Sequence, residues 1–205
     1  MKPNYKFISF FYDLIDVFYF NRKNHSPRTV LLAAVPDAPC RVLDLCAGTC
    51  GNSILLAKNK PQSVITALDQ SSDMLKVAEK KFQESGIQNI EISVSDACNT
   101  NLPDGTFDVI IISLVLHEID GNTRNAIITE ASRILKNNGR LLVIEWEQPL
   151  SFFQRLIFYP IKLMEPKGFM DFLRLDLSSY FSNCGFMVLE KRPCDYTRVY
   201  TLAKK

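Results

Sequence analysis

From about residue 40 onward the chain alternates short, uninterrupted apolar runs with longer stretches in which apolar residues recur every three or four positions. The runs are 41–45, 64–68, 90–94, 109–114 and 141–144. Segments this short and this apolar fit strands covered on both faces, as in a parallel sheet. Between them the helical patterns have definite ends. Ser71, Ser72 and Asp73 open a helix whose inner face carries Met74, Leu75, Ala78 and Phe82, and Gly86 closes it. A second helix begins near Asn122 and Thr123, carries Ile127, Ile128, Ala131, Ile134 and Leu135, and stops at Gly139. Alternation of this kind predicts a parallel sheet with helices on both faces.

The pattern changes after residue 146. Two helical segments, about 151–164 and 171–183, precede two strand-like runs, 186–190 and 197–203, close enough in sequence to form an antiparallel hairpin. Ahead of the sheet, Phe7, Phe11, Leu14 and Phe18 share one helical face, and Ser26-Pro27 reads as an N-cap followed by proline at the first helical position. The expectation is one α/β domain: a helical cap over 1–38, an alternating core over 39–146, and lid helices with a terminal hairpin over 147–205.

Composition narrows the class without naming it. With 205 residues, 47% hydrophobic and 22% charged, the chain is neither disordered nor a multi-span membrane protein. The net charge of +2 and the lack of any long run of like charge give no sign of a nucleic-acid partner. Six cysteines occur without a C-x-x-C pair, and Cys40, Cys46 and Cys50 fit no zinc or iron–sulfur spacing, so no metal is expected. The apolar stretch 7–20 carries Asp13 and Asp16 and has no basic leader. A reduced, cytoplasmic protein without a transmembrane segment is the reading, with peripheral membrane contact left open.

Chemistry concentrates where the predicted strands end. Val42-Leu43-Asp44-Leu45 runs into Cys46-Ala47-Gly48-Thr49-Cys50-Gly51, a turn of small residues feeding a helix. Small side chains let a ligand approach the backbone, and a helix N-terminus offers unpaired N–H groups. Asp69 ends the second strand, where a carboxylate accepts both hydroxyls of a ribose. Ser95-Asp96-Ala97 follows the third, and Ser113-Leu114-Val115-Leu116-His117-Glu118 the fourth.

Taken together these residues resemble the class I S-adenosylmethionine-dependent methyltransferases, most of all the small-molecule branch of ubiquinone and menaquinone biosynthesis. The likeness is distributed over Phe11-Tyr12-Asp13-Leu14, Leu43-Asp44-Leu45 with Gly48-Thr49, Asp69-Gln70-Ser71, Ser95-Asp96-Ala97, Phe107-Asp108-Val109, Gly139-Arg140-Leu141 and Cys184-Gly185-Phe186. It implies a doubly wound, mostly parallel, seven-stranded Rossmann-like sheet binding S-adenosylmethionine and releasing S-adenosylhomocysteine. Asp44, Gly48 and Thr49 would lie at the methionine end, Asp69 and Gln70 at the ribose, and Asp96 and Ala97 at the adenine. Ser113 and His117 would lie near the methyl group, and Tyr12 would close over it. His117 is the first candidate for a general base, with Glu118 and Glu145 behind it. The acceptor would be a small molecule.

Two departures stand out, because relatives carry glycine or another small residue at position 46 and glycine at position 50, where this chain has cysteine. If position 50 needs a positive φ, cysteine is strained there. Two other functions compete. Cys46, Gly48 and Gly51 also fit the turn of a nicotinamide dehydrogenase, although Tyr159-Pro160-Ile161-Lys162 falls one residue short of a Tyr-x-x-x-Lys pair. A non-catalytic cofactor-binding scaffold is the other. Finally, of 22 aromatic residues only Phe82 and Phe107 fall between 21 and 145. The rest flank the core, which suggests an apolar lid over a flat or lipophilic acceptor.

Overall fold

The described residues, 26–149, 151–194 and 196–205, are organised around one seven-stranded sheet in the computed structural model. The strands are β1 (Arg41–Leu45), β2 (Val64–Asp69), β3 (Ile90–Val94), β4 (Phe107–Ser113), β5 (Leu135–Trp146), β6 (Phe186–Cys194) and β7 (Thr197–Lys204). Their order is β3-β2-β1-β4-β5-β7-β6. All pairs from β3 across to β5 are parallel, and β7 lies antiparallel between β5 and β6. The chain winds one way from β1 to β3 and the other way from β4, so the sheet has its switch point between β1 and β4. Such sheets bind ligands in the crevice beyond the strand ends at that point.

Side chains along the central strands alternate between two cores, as a pleated strand requires. Leu43, Leu45, Ile110, Ile112, Leu141 and Val143 face one side, against Ile127, Ile128 and Ile134 of α4 (Gly121–Ile134). Val42, Ile65, Ile111 and Leu142 face the other. There they meet Val30 and Leu31 of α1 (Pro27–Ala34) and Leu56 of α2 (Gly51–Asn59). Ser71 caps α3 (Ser72–Ser85) by accepting from Met74 N, and Gly86 ends it in the left-handed region. Register brings the strand ends together: Leu45 pairs with Leu68 and Ile112, and Ser113 with Ile144.

Several expected boundaries moved. The fourth helix stops at Ile134, and β5 begins at once at Leu135 instead of beyond Gly139. Gly139 is therefore no helix stop. A Cβ there would stand 2.9 Å from the backbone oxygen of Asp108, so glycine is what lets β5 approach β4. The segment 171–183 is not one helix: Asp176 accepts from Ser178 N and Ser179 N, starting α7 (Leu177–Asn183) apart from the short α6 (Phe169–Phe172). The hairpin strands run on to Cys194 and Lys204. The N-terminal helix expected around Phe7–Phe18 lies outside the described residues.

Helix α5 (Phe152–Met164) starts in a capping box, Ser151 with Gln154, and buries Phe158 and Ile161 against Trp146, Phe169 and Tyr196. Its outer face is apolar, with Phe152 and Phe153 each 76% exposed. No helix among the described residues is long and apolar enough to cross a membrane.

Candidate active site

The loop after β1 takes an unusual path. Cys46, Gly48 and Cys50 all have positive φ, at 63°, 55° and 60°. Only glycine adopts this conformation without penalty, and an L-residue in it costs roughly 1–2 kcal/mol. Two of the three positions thus carry strain that glycine would remove. The turn is held by Ala47 N donating to Leu68 O (2.9 Å) and Cys50 N donating to Ala47 O (2.8 Å). Cys50 is fully buried beside Ala67, Leu75 and Phe82, so its thiol fills space that glycine would leave empty. Burial, with Asp69 and Asp44 nearby, pushes the Cys46 thiol up to about 12, and burial raises Cys50 as well. Neither is a thiolate near pH 7.

Cys46→Gly should therefore stabilise the protein. Relief of strain is offset by about 0.4–1 kcal/mol of added unfolded-state entropy. A net gain of about 0.5–1 kcal/mol, or roughly 1–4 °C in melting temperature, is expected. Cys50→Gly should gain less, because it opens a void. A calorimetric scan that shows Cys46→Gly less stable than the parent would refute the strain reading.

Asp69 at the end of β2 ties this loop down. Its Oδ2 accepts from Gly48 N and its Oδ1 from Ser71 N, both at 2.8 Å. The carboxylate faces a cleft of about 690 Å³, which is also lined by Gly48, Thr49 and Gln70. Asp96 and Ala97 line the same cleft, and Asp96 Oδ1 accepts from Cys98 N at 2.8 Å. Asp44 does not reach it. Its Oδ2 accepts from Ser53 N (3.1 Å) and Ser53 Oγ (2.6 Å), locking β1 to α2 behind the loop. Burial lifts Asp44 to about 6 against the opposing pull of Ser53. Tyr12 lies outside the described residues.

Beyond β4 the chain turns through Leu114, itself at φ 55°, and this turn aims the next two N–H groups inward. Val115 N and Leu116 N both donate to Glu145 Oε1, at 3.0 and 2.7 Å. Glu145 Oε2 accepts from Trp146 N at 3.2 Å and lies 2.7 Å from His117 Nδ1. This carboxylate, from near the end of β5, has no exposed surface. The other ring nitrogen of His117 faces Glu165 at 3.2 Å and Glu118 at 3.9 Å. The rings of Phe169 and Phe172 pack edge-on against the imidazole.

Burial alone would lower the basicity of His117. Glu145 and Glu165 outweigh that and hold it up at about 10. An imidazolium that keeps its proton at neutral pH accepts none from a substrate, and the two carboxylates beside His117 favour that form where it lines the cleft. Because its folded value is raised, the stability it contributes is fully present below about pH 6.5 and is lost as pH rises through about 10. Its NMR shifts should stay flat from pH 6 to 8; a midpoint near 6.5 would contradict this.

Ser113 and Trp146 also line the cleft. Of the aromatics expected to form a lid, Phe158, Phe169 and Phe172 are buried behind it, while Phe152, Phe153 and Tyr159 are exposed. Glu165 escaped sequence reading altogether. It follows α5 as the helix C-cap, and nothing in its local pattern announces a partner 48 residues upstream.

A family profile described as a methyltransferase domain matches residues 42–139. A demethylmenaquinone methyltransferase of Listeria welshimeri is 35% identical over 109 residues, covering 53% of this chain and 45% of that protein. The chain thus spans under half the length of that relative. One of the same name from Geobacillus kaustophilus is 27% identical over 173 residues, covering 75% of this chain and 73% of its own. In fold, the crystal structure of a SAM-dependent methyltransferase from Aquifex aeolicus overlays with a TM-score of 0.75 at 19% identity, covering 98% of each chain. The matched residues, just under half of the chain, are thus similar in sequence to methyltransferase domains, and the sheet built around them has the fold of that methyltransferase.

Proposed function

We propose that this protein transfers a methyl group from S-adenosylmethionine to a small, lipophilic or aromatic acceptor. The observation that carries the reading is one continuous cleft. The glycine-containing loop, Asp69 and Asp96 lie along its wall, and Ser113, Trp146 and the His117–Glu165 pair also line it. At about 690 Å³ it falls within the usual range of ligand sites, about 300–1,000 Å³.

The residues present fit the cofactor. Adenosine brings donors, two ribose hydroxyls and an amino group, and the cleft brings two carboxylates to meet them. Both oxygens of Asp69 already accept a backbone N–H, yet each carboxylate oxygen has a second lone-pair direction. Gly48 leaves the loop backbone open: a Cβ added there would meet nothing nearer than Met74 Cε at 3.8 Å. Bound there, S-adenosylmethionine would supply a sulfonium methyl open to in-line displacement by a nucleophilic acceptor. Asp69 and Gln70 would hold the ribose, Asp96 and Ala97 the adenine, and Gly48 and Thr49 the methionine end. The chain's main contribution is alignment, which can supply roughly 7–11 kcal/mol.

Leu114, Val115, Ile127, Ile144 and Trp146 give the cleft an apolar wall, which supports a lipophilic acceptor. The relatives named for demethylmenaquinone support an aromatic ring of quinone type. With His117 already protonated, any proton released by the acceptor goes elsewhere.

Saturation with S-adenosylhomocysteine, at about 100 times its dissociation constant, should add about 2.7 kcal/mol of stability. That corresponds to roughly 5–10 °C in melting temperature for a chain of this size. A comparable shift with NAD, and none with the adenosyl compounds, would sink the proposal in favour of a dehydrogenase. Tight binding of the cofactor without turnover on any quinol would favour a scaffold.

A further inference from the structure

We propose that the outer face of α5 docks on the surface of an anionic lipid bilayer, with the helix lying among the headgroups. Phe152, Leu156, Tyr159 and Leu163 follow one another at spacings of four, three and four, so they share one face of the helix. Phe152 is 76% exposed, Leu156 65%, Tyr159 54% and Leu163 68%, and Phe153 adjoins them at 76%. The opposite face is already engaged through Phe158 and Ile161, which are buried against Trp146, Phe169 and Tyr196. A helix that is apolar on both sides is ordinarily covered on both. Here the outer side lies open at the surface, and contiguous apolar surface of this kind marks a site of interaction.

The charges around the patch point to lipid. Arg155 and Lys162, seven positions apart, run along one margin of the apolar face, and Lys167 follows the helix; all three are exposed. No Asp or Glu occurs from 148 to 164. The next acid, Glu165, is turned inward, 3.2 Å from His117, with its side chain only 13% exposed. Aromatic and leucine side chains on one face with cations beside them are what an interfacial helix presents. The apolar face enters the acyl boundary, and the cations meet the lipid phosphates. Tyrosine suits that depth, since its ring is apolar and its hydroxyl is not. A second copy of the chain fits the patch less well. A two-fold interface would set the patch against itself, bringing Arg155, Lys162 and Lys167 up to the same three cations with no carboxylate of this helix to pair them.

The same helix reaches the cleft. Trp146, against which its inner face packs, lines the cleft, and so does Glu165 at its C-terminal cap. Docking through α5 thus brings the cleft wall to within about one helix diameter, roughly 10–12 Å, of the bilayer in which a lipophilic acceptor dissolves. That the acceptor comes from the bilayer rests on the proposed function; the docking itself does not.

The test is co-sedimentation of tag-free full-length protein with vesicles of phosphatidylcholine and phosphatidylglycerol, and with vesicles of phosphatidylcholine alone. The expected result is binding that is tighter on the anionic vesicles and weakened by salt. Phe153→Gln combined with Leu156→Gln should weaken it at least about tenfold. Lys162→Gln and Lys167→Gln should weaken it about fivefold each. Without vesicles the apolar double variant should melt within about 4 °C of the parent, as surface replacements do. No binding to the anionic vesicles, or binding that the double variant retains, overturns the proposal. A larger fall in melting temperature overturns it too, because the face would then be covered by the protein's own chain, such as residues 1–25. So does a dimer seen by sedimentation velocity without vesicles and dispersed by the same two replacements, because the occupant would then be a second copy. S-adenosylhomocysteine is titrated into the same preparation by calorimetry: its failure to bind would defeat the methyl-transfer reading and leave the docking standing.

Discussion

Glu145→Ala is expected to lower the melting temperature by about 6–20 °C. Removing one partner of a buried ion pair typically costs about 3–5 kcal/mol, because the other charge stays buried and uncompensated. Here the stranded charge is His117, and the N–H groups of Val115, Leu116 and Trp146 lose their acceptor at the same time. At roughly 2–4 °C per kcal/mol for a chain this long, the loss reaches the range given. Glu145→Gln should fall between the two. Its carbonyl still accepts from Val115 and Leu116, but its amide meets the His117 Nδ1–H donor to donor. Differential scanning calorimetry decides the matter: a drop of less than about 3 °C for the alanine variant would mean that the carboxylate is peripheral. The same variant should return His117 toward ordinary histidine basicity, readable by NMR.

Asp69→Ala is expected to act on ligand and scaffold together. Hydrogen bonds to a charged group are worth about 1.5–3 kcal/mol, so loss of the proposed ribose contact should weaken S-adenosylhomocysteine about ten- to a hundredfold. From its place at the end of a strand, Asp69 looks dispensable to the fold. The structure argues otherwise, because the carboxylate holds Gly48 N and Ser71 N, one in the strained loop and one at the cap of α3. Apo stability should therefore fall as well, by about 1–3 kcal/mol. Asp69→Asn keeps one oxygen and should lose more affinity than stability. Calorimetric titration beside thermal denaturation separates the two effects. Unchanged affinity in a destabilised alanine variant would make Asp69 a structural residue alone.

These two residues mark how far sequence reaches in this protein. The alternation of apolar runs and helical patterns was enough to place five parallel strands and a terminal hairpin, since burial on both strand faces leaves little freedom in the pattern. Caps at Ser26, Ser71 and Gly86 were equally readable, because each rests on a side chain or a φ angle that its own neighbours demand. Asp69, Asp96 and the glycine-containing loop could be placed at one edge of the sheet, since parallel strands put their C-terminal ends together. Cys46 and Cys50 were visible as anomalies, and the left-handed backbone at both shows why they are.

What tertiary structure decided depends on contacts between residues far apart in the chain. The insertion of β7 between β5 and β6 is one such outcome, because a hairpin has two edges and sequence does not say which one docks. The approach of β5 to β4 at Gly139 is another, fixed by a carbonyl at Asp108 that no local pattern reveals. Most consequential is His117. Its sequence position suggested a base, yet Glu145 from β5 and Glu165 from beyond α5 converge on it and make it a cation. A side chain's charge is set by what folding brings within about 4–6 Å of it, and that neighbourhood is assembled only by the fold.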